Sequence, residues 1–227
     1  MRRKEVTIKL SATPRRLPLL GCAALVLAGL AGFAPASPVT GRGPATVVYR
    51  ADFADGPGEE WSSRAFADTP EGGRRFLGPF AGNDAVTLRL RDLPAHRTVT
   101  VRFDLYVIGS WDGDGSAGSG PDFWRLGLED GTTLLQTTFS NYNGTNGIFI
   151  PQHYPNAWGK RHPGRTGAVE NDTLGYTNGE RQDAVYRLSF TFTHNRSDLS
   201  LQFSSRNLQD VLDESWGIDN VEVLTTP

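Results

Sequence analysis

The sequence predicts an all-β protein, an antiparallel β-sandwich (jelly roll) of about nine strands with one long aromatic loop. Two observations support this prediction. Apolar residues occupy every second position in several segments, which is typical of strands with one buried face. Glycine, proline, asparagine and aspartate fill the connections between those segments. No window has the periodicity of an amphipathic helix, and residues 208–214 offer room for a single helical turn at most.

The predicted strands follow one another along most of the chain. They are 46–53, 86–90, 99–108, 124–128, 132–139, 147–150, 186–193, 199–203 and 216–224. Asp130-Gly131 predicts a tight turn that joins the fourth of these strands to the fifth. Polar residues at 194–198 predict a second hairpin, between the seventh strand and the eighth.

Residues 140–183 depart from this even spacing and form the long aromatic loop. Loops of this length in a compact domain are usually functional or disordered. Its aromatic residues argue against disorder: Tyr142, Phe149, Tyr154, Trp158 and Tyr176. We therefore expect a structured loop that contributes to function.

The first 36 residues have the composition of a secretory signal peptide. Basic residues precede an apolar run at 17–33, and small residues follow it at the cleavage position. The run is short for a membrane span, which needs roughly 20 residues. We expect a signal peptide at 1–36, a flexible lead at 37–44 and one sandwich domain at 45–227, secreted or periplasmic. Cys22 ends a lipobox-like segment, so lipidation is the alternative, although the apolar run continues past it.

Removal of residues 1–36 would leave 17 lysines and arginines against 24 aspartates and glutamates, a net charge of −7. This acidic surface argues against nucleic acid as a partner and is compatible with cation binding. The mature chain would contain no cysteine and no further apolar segment. We therefore expect neither disulfides nor a membrane span after cleavage.

The densest acidic segment follows the third predicted strand. Asp112, Asp114 and Ser116 match the first ligand positions of a calcium loop, and Asp122 adds another carboxylate. Calcium takes six to eight oxygen ligands at about 2.4 Å, which closely spaced carboxylates in a glycine-rich loop can supply. The EF-hand pattern ends there, since Ala117 replaces the expected glycine. We expect calcium at Asp112, Asp114 and Asp122, with a solvated turn as the alternative.

Both ends of the predicted domain resemble bacterial extracellular jelly-roll modules. Residues 216–223, Trp-Gly-Ile-Asp-Asn-Val-Glu-Val, resemble the closing strand of such modules, and residues 49–61 resemble their opening strand. These modules are similar to concanavalin-like, laminin-G-like and MAM-type sandwiches and to carbohydrate-binding modules. The two matches bracket almost the whole of the expected mature chain.

This resemblance has consequences for strand order and for metal binding. It implies that the first and last strands lie side by side and share a structural calcium ion. The ligands it implies are Asp52 and Asp219, with Asp55 and Glu59 as helpers. The alternative is that Asp219 caps a strand end through hydrogen bonds to the backbone.

The same fold hosts glycoside hydrolases, one family of which has a Glu-x-Asp-x-x-Glu strand with two carboxylates about 5 Å apart. Residues 217–222 align with that strand, but Gly217 takes the place of the nucleophilic glutamate, and Glu214 lies too early to replace it. The sequence contains no His-Glu-x-x-His zinc motif and no Gly-x-Ser-x-Gly elbow. We therefore expect no catalytic residues, with an unfamiliar or degenerate glycoside hydrolase as the alternative.

Ligand contact is expected in the long aromatic loop. Sugar rings present apolar C–H faces that stack on aromatic rings, while amide groups hydrogen-bond their hydroxyls. The residues with this chemistry are Tyr142, Asn143, Tyr154, Asn156 and Trp158. The alternative is that these rings pack onto the sandwich.

Taken together, these patterns favour an exported, non-catalytic binding module that is stabilised by calcium and binds a glycan or a cell-surface polymer. A structural or adhesive surface protein without a small ligand is the competing hypothesis.

Overall fold

The computed structural model describes residues 43–115, 120–144, 147–177 and 182–227. The predicted signal peptide at 1–36, Cys22 and most of the predicted lead lie outside the described residues. Within the described ranges the chain forms eleven β-strands and no helix. In that part of the chain, accordingly, no helix has the length and apolar character needed to cross a membrane.

All strand pairs are antiparallel, and the strands vary greatly in length. They are β1 (Thr46–Ala51), β2 (Phe66–Asp68), β3 (Arg75–Phe80), β4 (Ala85–Leu90), β5 (Thr98–Gly109), β6 (Phe123–Leu128), β7 (Thr133–Thr138), β8 (Glu170–Asn171), β9 (Asp183–Thr193), β10 (Leu199–Arg206) and β11 (Glu214–Thr226). The long strands β5, β9 and β11 lie side by side, with β5 in the middle.

The strands form two sheets that pack face to face. The large sheet has seven strands in the order β2-β3-β11-β5-β9-β8, with β1 also paired to β11, and the small sheet has the order β4-β10-β6-β7. Rings from both sheets meet in the core: Phe103 of β5 lies 5.2 Å from Phe203 of β10, centroid to centroid, and Trp124 of β6 lies 6.1 Å from Trp216 of β11. The predicted all-β sandwich is confirmed.

The alternation that predicted the strands corresponds to real burial. In β5, Val99, Val101, Phe103, Leu105 and Val107 are all at most 1% exposed. Side chains of a strand point alternately to its two faces, so these five residues share the face that contacts the small sheet. The predicted aromatic loop, residues 140–183, consists mainly of turns, bends and isolated bridges where the structure describes it, and it contains the two-residue strand β8.

The two predicted hairpins have different outcomes. Strands β6 and β7 do form a hairpin around Asp130-Gly131. The prediction of a hairpin at 194–198 is wrong, because β9 belongs to the large sheet and β10 to the small sheet. Polar turn residues are common to hairpins and to connections between sheets, so composition does not distinguish the two.

Three short strands and one loop segment also differ from the prediction. Strands β2, β3 and β8 were not predicted, whereas the segment 147–150 forms only an isolated bridge between Asn143 and Phe149. The first and last strands do lie side by side: β1 pairs with the second half of β11, from Ala51 opposite Val221 to Thr46 opposite Thr225.

Candidate functional site

Three acidic side chains meet at one end of the sandwich. Asp112 follows β5, Asp122 immediately precedes β6, and Glu214 is the first residue of β11. Because β5 and β11 are antiparallel neighbours with Glu214 opposite Gly109, the end of one strand lies beside the start of the other. One carboxylate oxygen from each of the three residues lies within 4.8 Å of the other two. We call Asp112, Asp122 and Glu214 the acidic cluster.

Two members of the acidic cluster, Asp122 and Glu214, are fully buried, and each has one carboxylate oxygen that accepts no hydrogen bond from the described residues. Asp122 and Glu214 are both 0% exposed. Asp122 accepts a hydrogen bond on Oδ2 from the backbone N–H of Asp112, and Glu214 accepts one on Oε2 from the N–H of Gln209 at 3.0 Å. The other two oxygens, Asp122 Oδ1 and Glu214 Oε1, accept none from the described residues. A buried carboxylate in this state needs a proton or a cation to offset its lost hydration.

Burial also changes the acidity of the acidic cluster. It raises the pKa of Asp122 to about 7 and the pKa of Glu214 to about 9; the charge of Asp112 raises the pKa of Asp122 further, and the charge of Asp122 raises that of Glu214. The backbone hydrogen bonds act in the opposite direction but are smaller in effect. Without a bound cation, the cluster therefore retains a proton at neutral pH.

The structure places Asp114 outside the acidic cluster. Its Oδ2 forms an ion pair with Nε of Arg161 and lies 3.8 Å from Nε2 of His153. Of the three predicted ligands in this loop, Asp112 and Asp122 therefore lie together and Asp114 faces the aromatic loop. Glu214 takes its place in the cluster, and no local spacing in the sequence signals this, since the pairing of β5 with β11 is what brings it close.

Asp219 and Asp52, the pair implied by the resemblance, line the same cavity on the large sheet. Asp219 is 5% exposed and already accepts hydrogen bonds, at 2.9 Å from the Tyr106 hydroxyl and at 2.6 Å from the N–H of Asn220. Burial raises its pKa. Asp52 is exposed and accepts a bond from the N–H of Ala54 at 3.1 Å. Both oxygens of Asp219 thus have donors, whereas Asp122 and Glu214 each have one oxygen without a donor among the described residues.

The structure also shows the surroundings of Asp55 and Glu59, the two implied helper ligands, and of Gly217, which aligns with the nucleophile of the hydrolase family. Asp55 and Glu59 are exposed at the surface. At Gly217, a side chain would overlap the ring of Phe76 and approach the carbonyl oxygen of Leu77 to 2.9 Å. The position that would hold a nucleophilic glutamate in the hydrolase family is thus filled by a neighbouring ring.

The predicted ligand-binding residues of the aromatic loop have different surroundings. Tyr154 packs inward, with its ring 5.0 Å from Phe139 and 5.2 Å from Tyr186, and burial raises its pKa. For Tyr154, the structure therefore shows the alternative given above, in which the ring packs onto the sandwich. Tyr142 is half-buried and Asn143 is exposed. Asn156 is exposed and its Oδ1 lies 2.7 Å from Nε2 of His162.

Trp158 is the predicted residue whose ring is presented to solvent. It is 52% exposed, and it is supported on its inner side by His153, 4.2 Å away, and Phe123, 5.0 Å away, measured between ring centroids. The guanidinium of Arg206 lies over the ring of Phe123, 4.5 Å from the ring centroid. The Trp158 ring is thus held in place by other planar side chains.

A groove of about 590 Å³ begins at Phe123 and runs across the outer face of the small sheet. Its polar walls include Arg125 of β6, which lies opposite Gln136 of β7, and Arg206 of β10. Trp158 is not a lining residue of this groove and adjoins it through its contact with Phe123. We call the lining residues Phe123, Arg125, Gln136 and Arg206, together with the adjoining Trp158, the Trp158 groove. It combines an exposed aromatic ring with amide and guanidinium donors. Sequence reasoning found Trp158 and missed the other four, because Arg125, Gln136 and Arg206 appear as the ordinary polar positions of strands and Phe123 as an ordinary apolar one.

No family model and no curated protein matches the chain. Similar solved structures include dimeric latent PorU from Porphyromonas gingivalis, with 12% identity and a TM-score of 0.44, over 78% of this chain and 14% of that one. A carbohydrate-binding module from Cellvibrio mixtus lichenase 5A, solved with cellotriose, has 9% identity and a TM-score of 0.37, over 80% and 100%. A carbohydrate-binding module specific for non-crystalline cellulose has 16% identity and a TM-score of 0.38, over 78% and 93%.

Proposed function

We propose that the protein is an exported, non-catalytic module that binds carbohydrate in the Trp158 groove. The exposure of Trp158 is the observation on which this proposal depends. The other four tryptophans, Trp61, Trp111, Trp124 and Trp216, are at most 3% exposed, whereas Trp158 is 52% exposed. An aromatic ring left half in water is a candidate for contact with a ligand, since burying it would be favourable.

The support beneath Trp158 favours a binding role for the ring. His153 is 3% exposed and Phe123 is 8% exposed, so both are fixed by their own packing. A ring held in this way loses little conformational freedom when a ligand stacks on it, which lowers the entropic cost of binding. The apolar C–H face of a sugar ring is flat and matches such a surface.

The polar side chains of the groove supply the second requirement, hydrogen bonds to hydroxyl groups. Arg125 is held by Thr133, whose Oγ1 accepts from Nη2 at 3.0 Å, and by Gln202 at 3.4 Å. Arg206 is exposed and Gln136 is exposed. Guanidinium and amide groups offer several donors in fixed planes, which suits the closely spaced hydroxyls of a saccharide.

The surroundings of the carboxylates favour binding over catalysis. A retaining glycosidase needs two carboxyl groups about 5 Å apart on either side of the substrate bond. Asp122 and Glu214 are close together, but neither has any exposed surface. Gly217 lies under Phe76, so the nucleophile position of the hydrolase family has no room for a glutamate.

The proposal is tested by quenching tryptophan fluorescence with acrylamide. Because the other tryptophans are buried, quenching by a water-soluble agent reports mainly on Trp158. Candidate ligands are soluble fragments of cellulose, xylan, chitin, alginate and peptidoglycan, screened first by affinity electrophoresis. A fragment that binds should protect the fluorescence from quenching. Trp158→Ala should weaken its binding at least about tenfold, as expected for a central aromatic contact.

The matched control is Phe149→Ala, because Phe149 is another aromatic residue of the loop and is 59% exposed. It should leave affinity unchanged. Binding that survives Trp158→Ala would overturn the proposed site. Failure of every fragment to bind would favour the structural or adhesive hypothesis instead.

Export is tested separately. Expression of the whole chain in a bacterial host should yield mature protein that begins at Ser37, as N-terminal sequencing of the periplasmic or medium fraction would establish. Recovery of the uncleaved chain from the cytosol would contradict this part of the proposal.

A further inference from the structure

We propose that the acidic cluster, Asp112, Asp122 and Glu214, is a calcium site that fastens the segment after β5 to the first residue of β11. This site is independent of carbohydrate binding, and its ligand set differs from both sets that the sequence predicts. It includes Glu214, it omits Asp114, and it does not involve the cavity of Asp52 and Asp219.

The spacing of the three carboxylates fits a single hard cation. Ligand oxygens of calcium lie at about 2.4 Å from the ion, so two ligands on opposite sides are separated by about 4.8 Å. One oxygen from each residue of the acidic cluster lies within 4.8 Å of the others. Three carboxylates, each able to bind through one or two oxygens, supply between half and all of the six ligands that calcium needs at minimum.

The unpaired oxygens indicate that the arrangement is completed by a cation. Asp122 Oδ1 and Glu214 Oε1 are buried and accept no hydrogen bond, although each residue is 0% exposed. Within the described ranges, no arginine, lysine or histidine forms an ion pair with Asp122 or Glu214. Two buried carboxylates with no cationic partner are expensive to hold together, and a divalent ion would offset both charges.

The cavity of Asp52 and Asp219 lacks these features. The oxygens of Asp219 are occupied by Tyr106 and Asn220, and neighbouring Asp104 pairs with Arg187, with Nε 2.9 Å from Oδ1. The negative charge on that side of the molecule is therefore met by hydrogen bonds and guanidinium groups. In the acidic cluster, by contrast, Asp122 Oδ1 and Glu214 Oε1 are buried and accept no hydrogen bond from the described residues, which makes it the better cation site of the two.

The position of the site indicates its structural role. The N–H of Asp122 donates to the carbonyl of Gly113 at 2.9 Å, and the N–H of Asp114 donates to the carbonyl of Pro151 at 2.8 Å. The segment 112–115 thus bridges the end of β5, the start of β6 and the aromatic loop. An ion bound by Asp112, Asp122 and Glu214 would fix this segment to β11.

The experiment measures calcium binding and thermal stability on the same samples. The protein is stripped with EDTA, dialysed, and titrated with CaCl₂ by calorimetry, with melting followed in parallel. We expect one calcium ion per chain, and a rise in melting temperature of about 5–10 °C when calcium is about 100-fold above its Kd. Hydrogen exchange should slow at residues 112–115 when calcium is added.

Two isosteric variants keep the test independent of folding. Glu214→Gln and Asp122→Asn each replace a buried carboxyl group with a neutral amide of the same size, so without calcium they should melt at or above the temperature of the stripped wild-type protein. Neither should gain stability from calcium. The matched control is Asp52→Asn, which should bind calcium and gain stability as the wild type does.

Several results would overturn the proposal. One is the absence of any calcium heat with the wild-type protein, which would leave a shared proton as the partner of the two carboxyls. Another is loss of calcium binding in Asp52→Asn with retention in Glu214→Gln. A melting temperature raised equally by MgCl₂ would reject calcium as the preferred ion.

Discussion

The ring of His153 lies 4.2 Å from the ring of Trp158, centroid to centroid, and its Nε2 lies 3.8 Å from Oδ2 of Asp114. Burial is the main cause that lowers the pKa of His153, so the ring is neutral at neutral pH and packs as a flat aromatic surface. The buried histidine thus connects an exposed tryptophan to the segment that follows β5. It is a positioning residue for Trp158.

Replacing His153 with alanine should loosen Trp158 without removing it. The inner face of the indole would lose its support, so acrylamide should quench its fluorescence more strongly, and the affinity for a bound saccharide should fall several-fold. Fluorescence quenching and affinity electrophoresis measure the two effects. The control is His162→Ala, which lies in the same loop and contacts Asn156. Equal quenching in His153→Ala and the wild type would show that the histidine does not hold the tryptophan.

Gly217 is required by its neighbours, and a methyl group there should destabilise the fold. The added Cβ would overlap the Phe76 ring, which is 0% exposed and cannot move into solvent. Overpacking of this kind costs about 1–3 kcal/mol of unfolding free energy. Urea denaturation of Gly217→Ala measures the loss.

A second substitution tests the cause of that loss. Phe76→Leu in the Gly217→Ala background should recover part of the stability, because a smaller side chain makes room for the methyl group. Simple addition of the two separate losses would mean that the ring and the new methyl group do not collide. Recovery cannot be complete, because the carbonyl oxygen of Leu77 would also lie 2.9 Å from the Cβ.

How far the sequence predicts the fold depends on the length of each pattern. The alternation in β5 extends over ten residues, 98–107, and predicts both the strand and the face that contacts the small sheet. Strand β3 contains Gly78 and Pro79 and has three consecutive buried residues, 76–78, and β8 has only two residues, so neither shows the alternation by which a strand is recognised. The assignment of β9 and β10 to different sheets depends on packing between distant strands, which turn composition does not encode.

The candidate site illustrates the same limit. Asp112 and Asp122 lie in one acidic segment and were predictable as neighbours, whereas Glu214 joins them through the pairing of β5 with β11. Trp158 was predictable as an aromatic residue in a long loop, but its exposure was not. Tyr154 has the same chemistry and packs inward against Phe139. Composition identifies candidates, and tertiary contacts decide between them.

A histidine pair should make stability depend on pH. Nδ1 of His194 lies 2.8 Å from Nε2 of His96 with the rings stacked, and burial, together with the charge of His96 and Arg196, lowers the pKa of His194. In the unfolded chain, histidine has a pKa of about 6.5. As the pH falls below that value, the unfolded chain binds a proton at His194 before the folded chain does, because the folded pKa is lower. This contribution to stability is therefore present above pH 6.5 and is lost as the pH falls toward the lower pKa of the folded state.

The pH effect is measured by urea denaturation at about pH 7.5 and about pH 5.5, on either side of the unfolded pKa. His194→Gln should lose less stability between the two values than the wild-type protein, and His162→Gln, which lies outside the pair, should lose as much as the wild type. An unchanged pH dependence in His194→Gln would assign the effect to other groups.

The hydroxyl of Tyr106 should stabilise the buried carboxylate of Asp219, to which it donates a hydrogen bond at 2.9 Å. Tyr106→Phe leaves one oxygen with a weaker partner, and loss of a donor to a buried acceptor costs about 1–3 kcal/mol of unfolding free energy. The control is Tyr154→Phe, because Tyr154 contacts Phe139 and Tyr186 through its ring and should tolerate the change. If Asp219 bound calcium together with Asp52, removal of the competing hydroxyl would instead tighten calcium binding. Urea denaturation with and without calcium therefore separates a carboxylate held by hydrogen bonds from a metal ligand.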